Sequence, residues 1–542
     1  MIYFISYSIF LFFSVIGIGK LTNLFFKNFK IQEPLYGILG LIYLTIFSTV
    51  LHFFLSLSEF INLSIFFIGF LFFLFNKDFS LLKKTDFYIF FLFSLLLFFD
   101  HKPHEDFGYY HLPYVINFNS EKIIFGFGNI ADPYVWNSLW LNLLAIFNLP
   151  IVKYKLISLP SLLLLVYVLL YFFDYIKVNL GKKRFNISVT FSIFFIFYVI
   201  IKFSRFSSYG IDIPSLLLIS TLFLLLINIY ELNKINNTQF YTIICISLFL
   251  PLIKLSNFAV IFILFLILMN FKYTISYPKL LKISTVPIFL VTIWIIQQFI
   301  YTGCIGFPTS VTCLNVNWFN NDILNLGHKL EIINKGYSNF KYKSTILAEN
   351  YIENFNWISH WFIRTKTELS EHLMAILVVP LLMSIFSCFK LRRNKIKFEY
   401  FLLFFVYIIF SLIILEKSPL VRFGLATLFL IIFCLFIYFL EINFQKLNRK
   451  LFFSLIFLSL VYSSTKNILR IDNFNYPYPK YIKSNFETKK TSVNNIFLHK
   501  PVNKNQGWQG FLCWNTPFIC TYKFDNIIVN RLNLNYLIIS KK

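Results

Sequence analysis

Acidic residues are scarce in this chain. It carries 24 Asp and Glu against 49 Lys and Arg, and charged residues of both signs make up 13% of its 542 residues. No segment resembles an RNA- or DNA-binding module, and Lys and Arg fall mainly in short loops between apolar runs. The net charge of +25 therefore reads as an orientation signal rather than a nucleic-acid face, and no nucleic-acid partner is expected. The segment from Met1 to Ile18 has neither a basic leader nor an Ala-x-Ala site, so it reads as a retained first span. Few ionisable residues lie deep in the apolar runs and no convincing internal repeat is found, which argues against a transporter or flippase.

What the chain has in abundance is apolar length. Its composition is 58% hydrophobic with a mean hydropathy of +0.70. Runs long enough to cross a bilayer recur along it, so the expected class is an all-α polytopic membrane protein with about fourteen transmembrane helices. They are placed at 2–19, 35–56, 61–76, 86–100, 154–173, 186–203, 213–230, 240–253, 256–270, 283–301, 372–389, 399–415, 423–440 and 451–465. In the stretch 240–270, Pro251, Lys254 and Asn257 interrupt the run, and two short spans or one re-entrant pair both fit. Every second loop is basic, as in Lys20/Lys27/Lys30, Lys182/Lys183/Arg184 and Lys390/Arg392/Arg393, with only the loop at Lys234 weak. Those loops are assigned to the cytoplasm. Three larger pieces then lie outside: the loop 100–153, the loop 303–371 and a short tail from 466.

The cysteines fit that sidedness. Cys245, Cys388 and Cys434 fall within spans, where they serve as packing residues. Cys304/Cys313 and Cys513/Cys520 fall outside as close pairs, the expected look of disulfides. A zinc site is the rival for the second pair, but no further ligand pair lies near it.

The concentrated polar signals are also external. Glu105 and Asp106 follow the run Phe87–Phe99 and open a stretch containing Tyr109, Tyr110 and His111. Adjacent carboxylates at the mouth of a span suit deprotonation of a hydroxyl or the holding of a metal, although a single acid there is often just a solvated loop residue. His101, His104 and His111 would suit zinc together with those acids, but most interface histidines are not ligands. The aromatics Tyr109, Tyr110, Tyr134, Trp136 and Trp140 suggest short helices at headgroup depth. Asp212 stands at the mouth of another span, after Arg205. Arg422 begins a third, where it either anchors at the interface or grips a lipid phosphate through two hydrogen bonds. Lys254 has the same two readings.

The run Asp106-Phe107-Gly108-Tyr109-Tyr110-His111-Leu112-Pro113, an acid followed by Tyr-His-Leu-Pro just after a span, resembles bacterial membrane glycosyltransferases of the GT-C superfamily. The likeness is to relatives of the dolichyl-phosphate-mannose–protein mannosyltransferases. Tyr209-Gly210-Ile211-Asp212 and Pro419-Leu420-Val421-Arg422 look like that family's second acid and its arginine. The two cysteine segments resemble a branch of bacterial multi-pass proteins. The resemblance implies a GT-C-like module over 86–302 with its catalytic loop at 100–153. Additional helices would occupy 1–85, where many members have none; 303–371 would be an external loop, 372–465 C-terminal helices and 466–542 an external tail. It implies a polyprenyl-phosphate-sugar donor, a glycan, lipid or protein acceptor, and a bacterial inner membrane. Asp106 is then the base with Glu105 as alternate; Tyr110, His111, Asp212, Arg422, Arg205 and Lys254 are the substrate contacts. A divalent ion shared by Asp106 and Asp212 is left open, because relatives differ. The rival readings are a lipid-linked glycan polymerase or ligase, which would put the essential residues in 303–371, and a non-catalytic membrane scaffold.

Overall fold

The computed structural model describes residues 2–26, 29–76, 79–99, 106–182, 186–203, 210–271, 277–340, 346–386, 388–391, 398–442, 449–473, 488–494, 496–501, 512–523 and 527–541. The chain is mostly helical. Among the described residues nine helices are long and apolar enough to cross a membrane: Tyr3–Phe25, Glu33–Phe54, Tyr154–Gly181, Asp212–Leu232, Leu280–Thr302, Ile358–Ile385, Phe398–Lys417, Val421–Phe439 and Arg449–Arg470. Five further apolar helices, Glu59–Phe75, Thr85–Phe98, Ile187–Lys202, Asn237–Ile253 and Leu255–Asn270, have 10–17 residues. All overlap the expected segments, but Ile358–Ile385 begins 14 residues ahead of its expected start at 372, so the end of the expected external loop 303–371 is helical. Length and composition together support nine spans, since a helix crossing the bilayer needs about 20 predominantly apolar residues. Many of these sequences are rich in Phe and Ile, which are middling helix formers in water. In hydrocarbon the backbone must satisfy its own hydrogen bonds, and the helix wins whatever the propensity.

Burial sorts the helices into centre and rim. The apolar windows of Tyr154–Gly181 and Asp212–Leu232 are 100% and 94% buried, whereas that of Phe398–Lys417 is 28% buried. Exposed Phe60, Phe75, Ile385 and Phe398 lie on rim helices, as a lipid-facing belt would. The N-terminal helices join the centre directly. Tyr167 donates to the Phe12 carbonyl at 2.7 Å, and Gly17 lets its helix close on Gly69, whose carbonyl occupies the space a β-carbon would take.

The two ends of the bundle differ. One gathers loops assigned to the cytoplasm: Lys84 pairs with Asp174 at 2.6 Å, Lys177 with Asp86 at 2.5 Å, and Phe389–Leu391 forms an antiparallel ladder with Leu440–Ile442. The other gathers the three larger pieces. Phe125 donates to the Leu537 carbonyl at 2.9 Å, Asn129 to the Trp318 carbonyl at 2.9 Å, and Thr521 to the Ile130 carbonyl at 2.6 Å. Both cysteine pairs are bonded at this end, Cys304–Cys313 and Cys513–Cys520.

The helical class holds as expected, and the tail adds antiparallel hairpins Thr488–Val493/Ile496–Pro501 and Ile527–Arg531/Leu537–Lys541. Two other expectations change. The last apolar helix runs on to Asn473. Tyr134 and Trp140 are 2% and 0% exposed, so they pack in the protein core rather than among headgroups. In 240–270, helix Asn237–Ile253 stops at Lys254, whose backbone is extended, and the 3-10 turn Leu255–Phe258 starts the next helix.

Gly17→Val should therefore lower the melting midpoint of the detergent-solubilised protein, at a cost of roughly 1–3 kcal/mol for overpacking. Phe60→Leu on the lipid-facing side should leave the midpoint unchanged. Intrinsic-fluorescence melting of both variants checks this.

Candidate functional site

Four charged residues from separate parts of the chain meet at the end that gathers the larger loops. Asp106 precedes the π-helical turn Phe107–His111, which leads into helix Leu112–Ser120 with Pro113 in its first turn. Asp212 opens helix Asp212–Leu232, where the positive end of the helix dipole favours a carboxylate. Pro214 fits there because the first N–H groups of a helix have no partner within it. Lys254 sits at the break after helix Asn237–Ile253. Asn257 pins that break by donating to Ser215 Oγ at 2.9 Å and to the Leu250 carbonyl at 3.0 Å. Arg422 lies in the 3-10 turn Val421–Gly424, ahead of helix Leu425–Phe439.

These side chains form a continuous chain of charge. Arg422 Nη1 donates to Asp106 Oδ2 at 2.8 Å, and its Nε lies 3.6 Å from Asp212 Oδ2. Lys254 Nζ donates to the other oxygen, Asp212 Oδ1. The ammonium also lies over the Phe423 ring, 3.0 Å from its centre. Side-chain exposure is 5% for Asp212 and 11% for Lys254, against 18% for Asp106 and 23% for Arg422. The inner pair is thus nearly dry and the outer pair half-open. A narrow cleft lined by Asp212, Ser215, Lys254, Asn257, Arg422 and Phe423 runs beside them.

The surroundings tune these groups. Lys254 lies outside both helices that flank it; burial pulls its ammonium down to about 8, while the Asp212 carboxylate holds it up. Burial, and then the Asp106 carboxylate, push the Tyr110 phenol well above its usual value. Tyr109 and Tyr522 are raised in the same way, chiefly by burial. All three phenols stay protonated at neutral pH.

Two outer segments brace the cluster. The tail closes on the loop beside Asp106: Trp514 N donates to the Gly108 carbonyl at 2.8 Å, and the Tyr109 and Tyr522 hydroxyls are 2.8 Å apart. The 303–371 segment holds the turn that carries Arg422. Lys335, fully buried, donates to Glu331 and Glu416 at 2.7 Å each, Asn334 donates to Ser418 at 2.7 Å, and Trp361 donates to the Pro419 carbonyl. Between the three outer pieces, apart from the cleft, lies a cavity of about 300 Å³ whose walls include Asn129, Asp132, Asn320, Asp322, Lys329 and Tyr522. Tyr522 connects its wall to Tyr109, next to Tyr110.

Of the residues expected at a site, Asp106, Asp212, Lys254 and Arg422 are brought together. Tyr110 is beside them. His111 does not line the cleft; it is 4% exposed and lies under Gly210, where φ is +49° and a β-carbon would strike the imidazole. Glu105 and Arg205, like His101 and His104, lie outside the described residues. Asp106 and Asp212, the candidate pair for a divalent ion, share Arg422. Among the described residues no group of three or more His, Cys, Asp or Glu is placed to hold a metal. Sequence reasoning missed Tyr522 and the Lys335 cluster, although the i, i+4 spacing of Glu331 and Lys335 was a weak signal for the latter.

The chain belongs to the family described as "Domain of unknown function (DUF8201)", whose model matches residues 1–429. All four members of the charge cluster fall within that span, and the tail falls beyond it. No curated protein and no solved structure matches the chain.

Lys335→Met leaves Glu331 and Glu416 without their buried cation. It should destabilise the outer segment locally by roughly 2–4 kcal/mol, the range for breaking a buried pair discounted for the partial exposure of the glutamates. Hydrogen exchange should then speed up across 326–335 and 416–424 and stay unchanged in helix Tyr154–Gly181.

Proposed function

Since that family description assigns no activity, we propose from the site that this protein is a membrane glycosyltransferase of the GT-C kind. It would move a sugar from a polyprenyl-phosphate donor to an acceptor hydroxyl on the external face, with a bacterial inner membrane as its setting. The observation that supports this reading is the meeting of Asp106, Asp212, Lys254 and Arg422 at the end of an apolar bundle, beside a narrow cleft that the last three line. A lipid-linked phosphate needs cations at headgroup depth beside an apolar groove, and a hydroxyl acceptor needs a carboxylate to take its proton.

On this reading the roles divide by position. Arg422, the more exposed cation, takes the donor phosphate. Asp106, the more exposed acid, is the base. The acceptor oxygen forms a bond to the anomeric carbon as the bond from that carbon to the phosphate oxygen breaks. The bonding pair leaves with the phosphate, the acceptor proton passes to Asp106, and configuration inverts. Arg422 meets the charge that develops on the leaving oxygen. Asp212, itself held by Lys254, keeps the guanidinium from behind with its face towards the cleft. The polar cavity between the outer pieces suits a hydrophilic acceptor, which the Tyr109–Tyr522 pair would place next to the loop carrying the base.

Transfer of radiolabelled sugar from polyprenyl-phosphate donors in membranes tests the assignment. Asp106→Asn, at matched expression, should lose about 10²–10⁴-fold in rate, the usual worth of a general base. Equal transfer by both proteins would move the essential residues to 303–371 and favour a polymerase or ligase.

The pH profile gives a second check. Lys254 faces Asp212, Arg422 and Asp106, and it loses its proton as pH rises through about 8. Above that, two carboxylates share one guanidinium, and Arg422 is less available to phosphate. Transfer should fall on the alkaline side of about 8. Lys254→Arg, which stays charged, should push that limb to higher pH.

A further inference from the structure

The cavity of about 300 Å³ is built by all three outer pieces of the chain. Asn129 and Asp132 come from the loop 100–153, Asn320 and Asp322 from the segment 303–371, and Lys523 and Lys541 from the tail. Its volume lies at the lower end of small-molecule pockets, roughly 300–1,000 Å³. Asp322 and Lys329 are exposed, so its rim meets water. Its walls are of two kinds. Ile323, Leu326 and Ile527 supply apolar surface, and the other described wall residues are amides, carboxylates, ammonium groups and one phenol. A sugar ring has the same division: apolar C–H groups, and hydroxyls that both donate and accept.

The protein itself holds the polar groups in place. Asn129 donates to the Trp318 carbonyl at 2.9 Å and to the Ile539 carbonyl at 3.0 Å. Asn320 donates to Asn129 Oδ1 at 3.3 Å and accepts from the Asp322 N–H at 3.0 Å. Lys523 pairs with Asp132, and Lys541 with Asp322. A carboxylate can accept about four hydrogen bonds and an ammonium can donate three, so each ion pair keeps capacity for neighbouring hydroxyls. Side chains fixed in this way lose little freedom when a ligand binds.

Other ligand classes fit these walls less well. An extended peptide binds by pairing with a strand edge. Here Phe125 already lies along Leu537–Lys541, donating to the Leu537 carbonyl at 2.9 Å and accepting from the Ile539 N–H at 2.8 Å. On the opposite side of that hairpin, Asn494 donates to the Val529 carbonyl at 3.1 Å. A nucleobase needs an aromatic face, and the aromatic of the described wall, Tyr522, has its ring stacked against Tyr109 with centroids 5.9 Å apart.

We propose that this cavity is a saccharide site, in which Asp132, Asp322, Lys523 and Lys541 bind the hydroxyls of a glycan and the apolar residues meet its C–H groups. Naming that glycan as the acceptor rests on the transferase reading above; the binding itself does not. Tyr522 joins the two places. Its hydroxyl accepts from the Asp132 N–H at 3.0 Å and lies 2.8 Å from the hydroxyl of Tyr109, in the turn that follows Asp106. Tyr522, Lys523, Ile527 and Lys541 all lie beyond the family-matched region 1–429, so sugar recognition draws on residues outside it.

Full-length protein, in a detergent without a sugar headgroup, is titrated with methyl glycosides of glucose, galactose, mannose and N-acetylglucosamine. A blocked seryl peptide is titrated separately, and saturation-transfer NMR reads the binding. At least one glycoside should bind wild type, and the peptide should not. Asp322→Ala and Lys523→Ala should each weaken that glycoside about tenfold, the worth of one charge-assisted hydrogen bond. Neither should shift the melting midpoint, because partly exposed ion pairs add little to stability. Asp322→Asn and Lys523→Gln, which keep the side-chain shape, should repeat the direction with smaller losses. Asp106→Asn should bind the glycoside as wild type does. Glycoside binding that all four wall variants leave unchanged overturns the assignment to this cavity. Peptide bound in place of every glycoside, or no glycoside bound by wild type, overturns the saccharide site, and the transferase reading is then judged by the radiolabel assay alone. Glycoside binding that the wall variants weaken, with no sugar transfer by wild type, keeps the saccharide site and removes its acceptor role.

Discussion

Charges at a membrane boundary must be partnered before they can do anything else. Removing an ion from water costs several kcal/mol even after relaxation, and a lone ion in a cleft as dry as that of Asp212 would titrate away or pull the fold open. The alternation Asp106, Arg422, Asp212, Lys254 meets that constraint with each charge touching its opposite. The backbone follows from it. Each member sits where regular helix is interrupted: a π-helical turn, a helix start, a break and a 3-10 turn. Such interruptions are tolerated at membrane depth only where protein or water covers them. The cluster and the irregular backbone thus require the same sheltered place.

The outer segments follow from the cluster in turn. A guanidinium shared between two carboxylates is useful only if its turn is held still. The buried Lys335 with Glu331 and Glu416, and the bonds from Asn334 and Trp361, fix that turn from outside. The tail does the same for the loop carrying Asp106, since Trp514 bonds to Gly108, two residues on. The family-matched region 1–429 contains every member of the charge cluster, yet one wall beside it comes from beyond that region.

Legibility from sequence had a physical limit. Apolar length revealed the helices, because lipid leaves the backbone one way to satisfy itself. Charge alternation placed Asp106, Asp212, Arg422 and both cysteine pairs at one end, and the described contacts gather them there. Scarcity of acids made Asp106 and Asp212 conspicuous. What sequence could not supply was azimuth, which decides whether Arg422 faces an empty groove or two carboxylates. For Lys254 the two readings, anchor and phosphate contact, both missed its closest partner, Asp212. Tyr134 and Trp140 were misplaced because lipid and protein interior are equally apolar, so composition cannot tell a headgroup belt from a core. The tail hairpins Thr488–Val493 and Ile496–Pro501 are short, and their polar sequence hides the alternation that marks longer strands.

The charge count gives the proposed chemistry its internal consistency. Among the described residues of the cluster, two carboxylates and two cations sum to zero. A phosphodiester donor brings about −1, and the product monoester carries about −2 once formed. On the proposed reading the acceptor proton stays on Asp106, so the cluster gains one positive charge as the phosphate gains one negative. The net charge of the cleft is the same before and after transfer. In a low-dielectric site this matters, because a step that changed the local charge would have to meet the full cost of desolvating it.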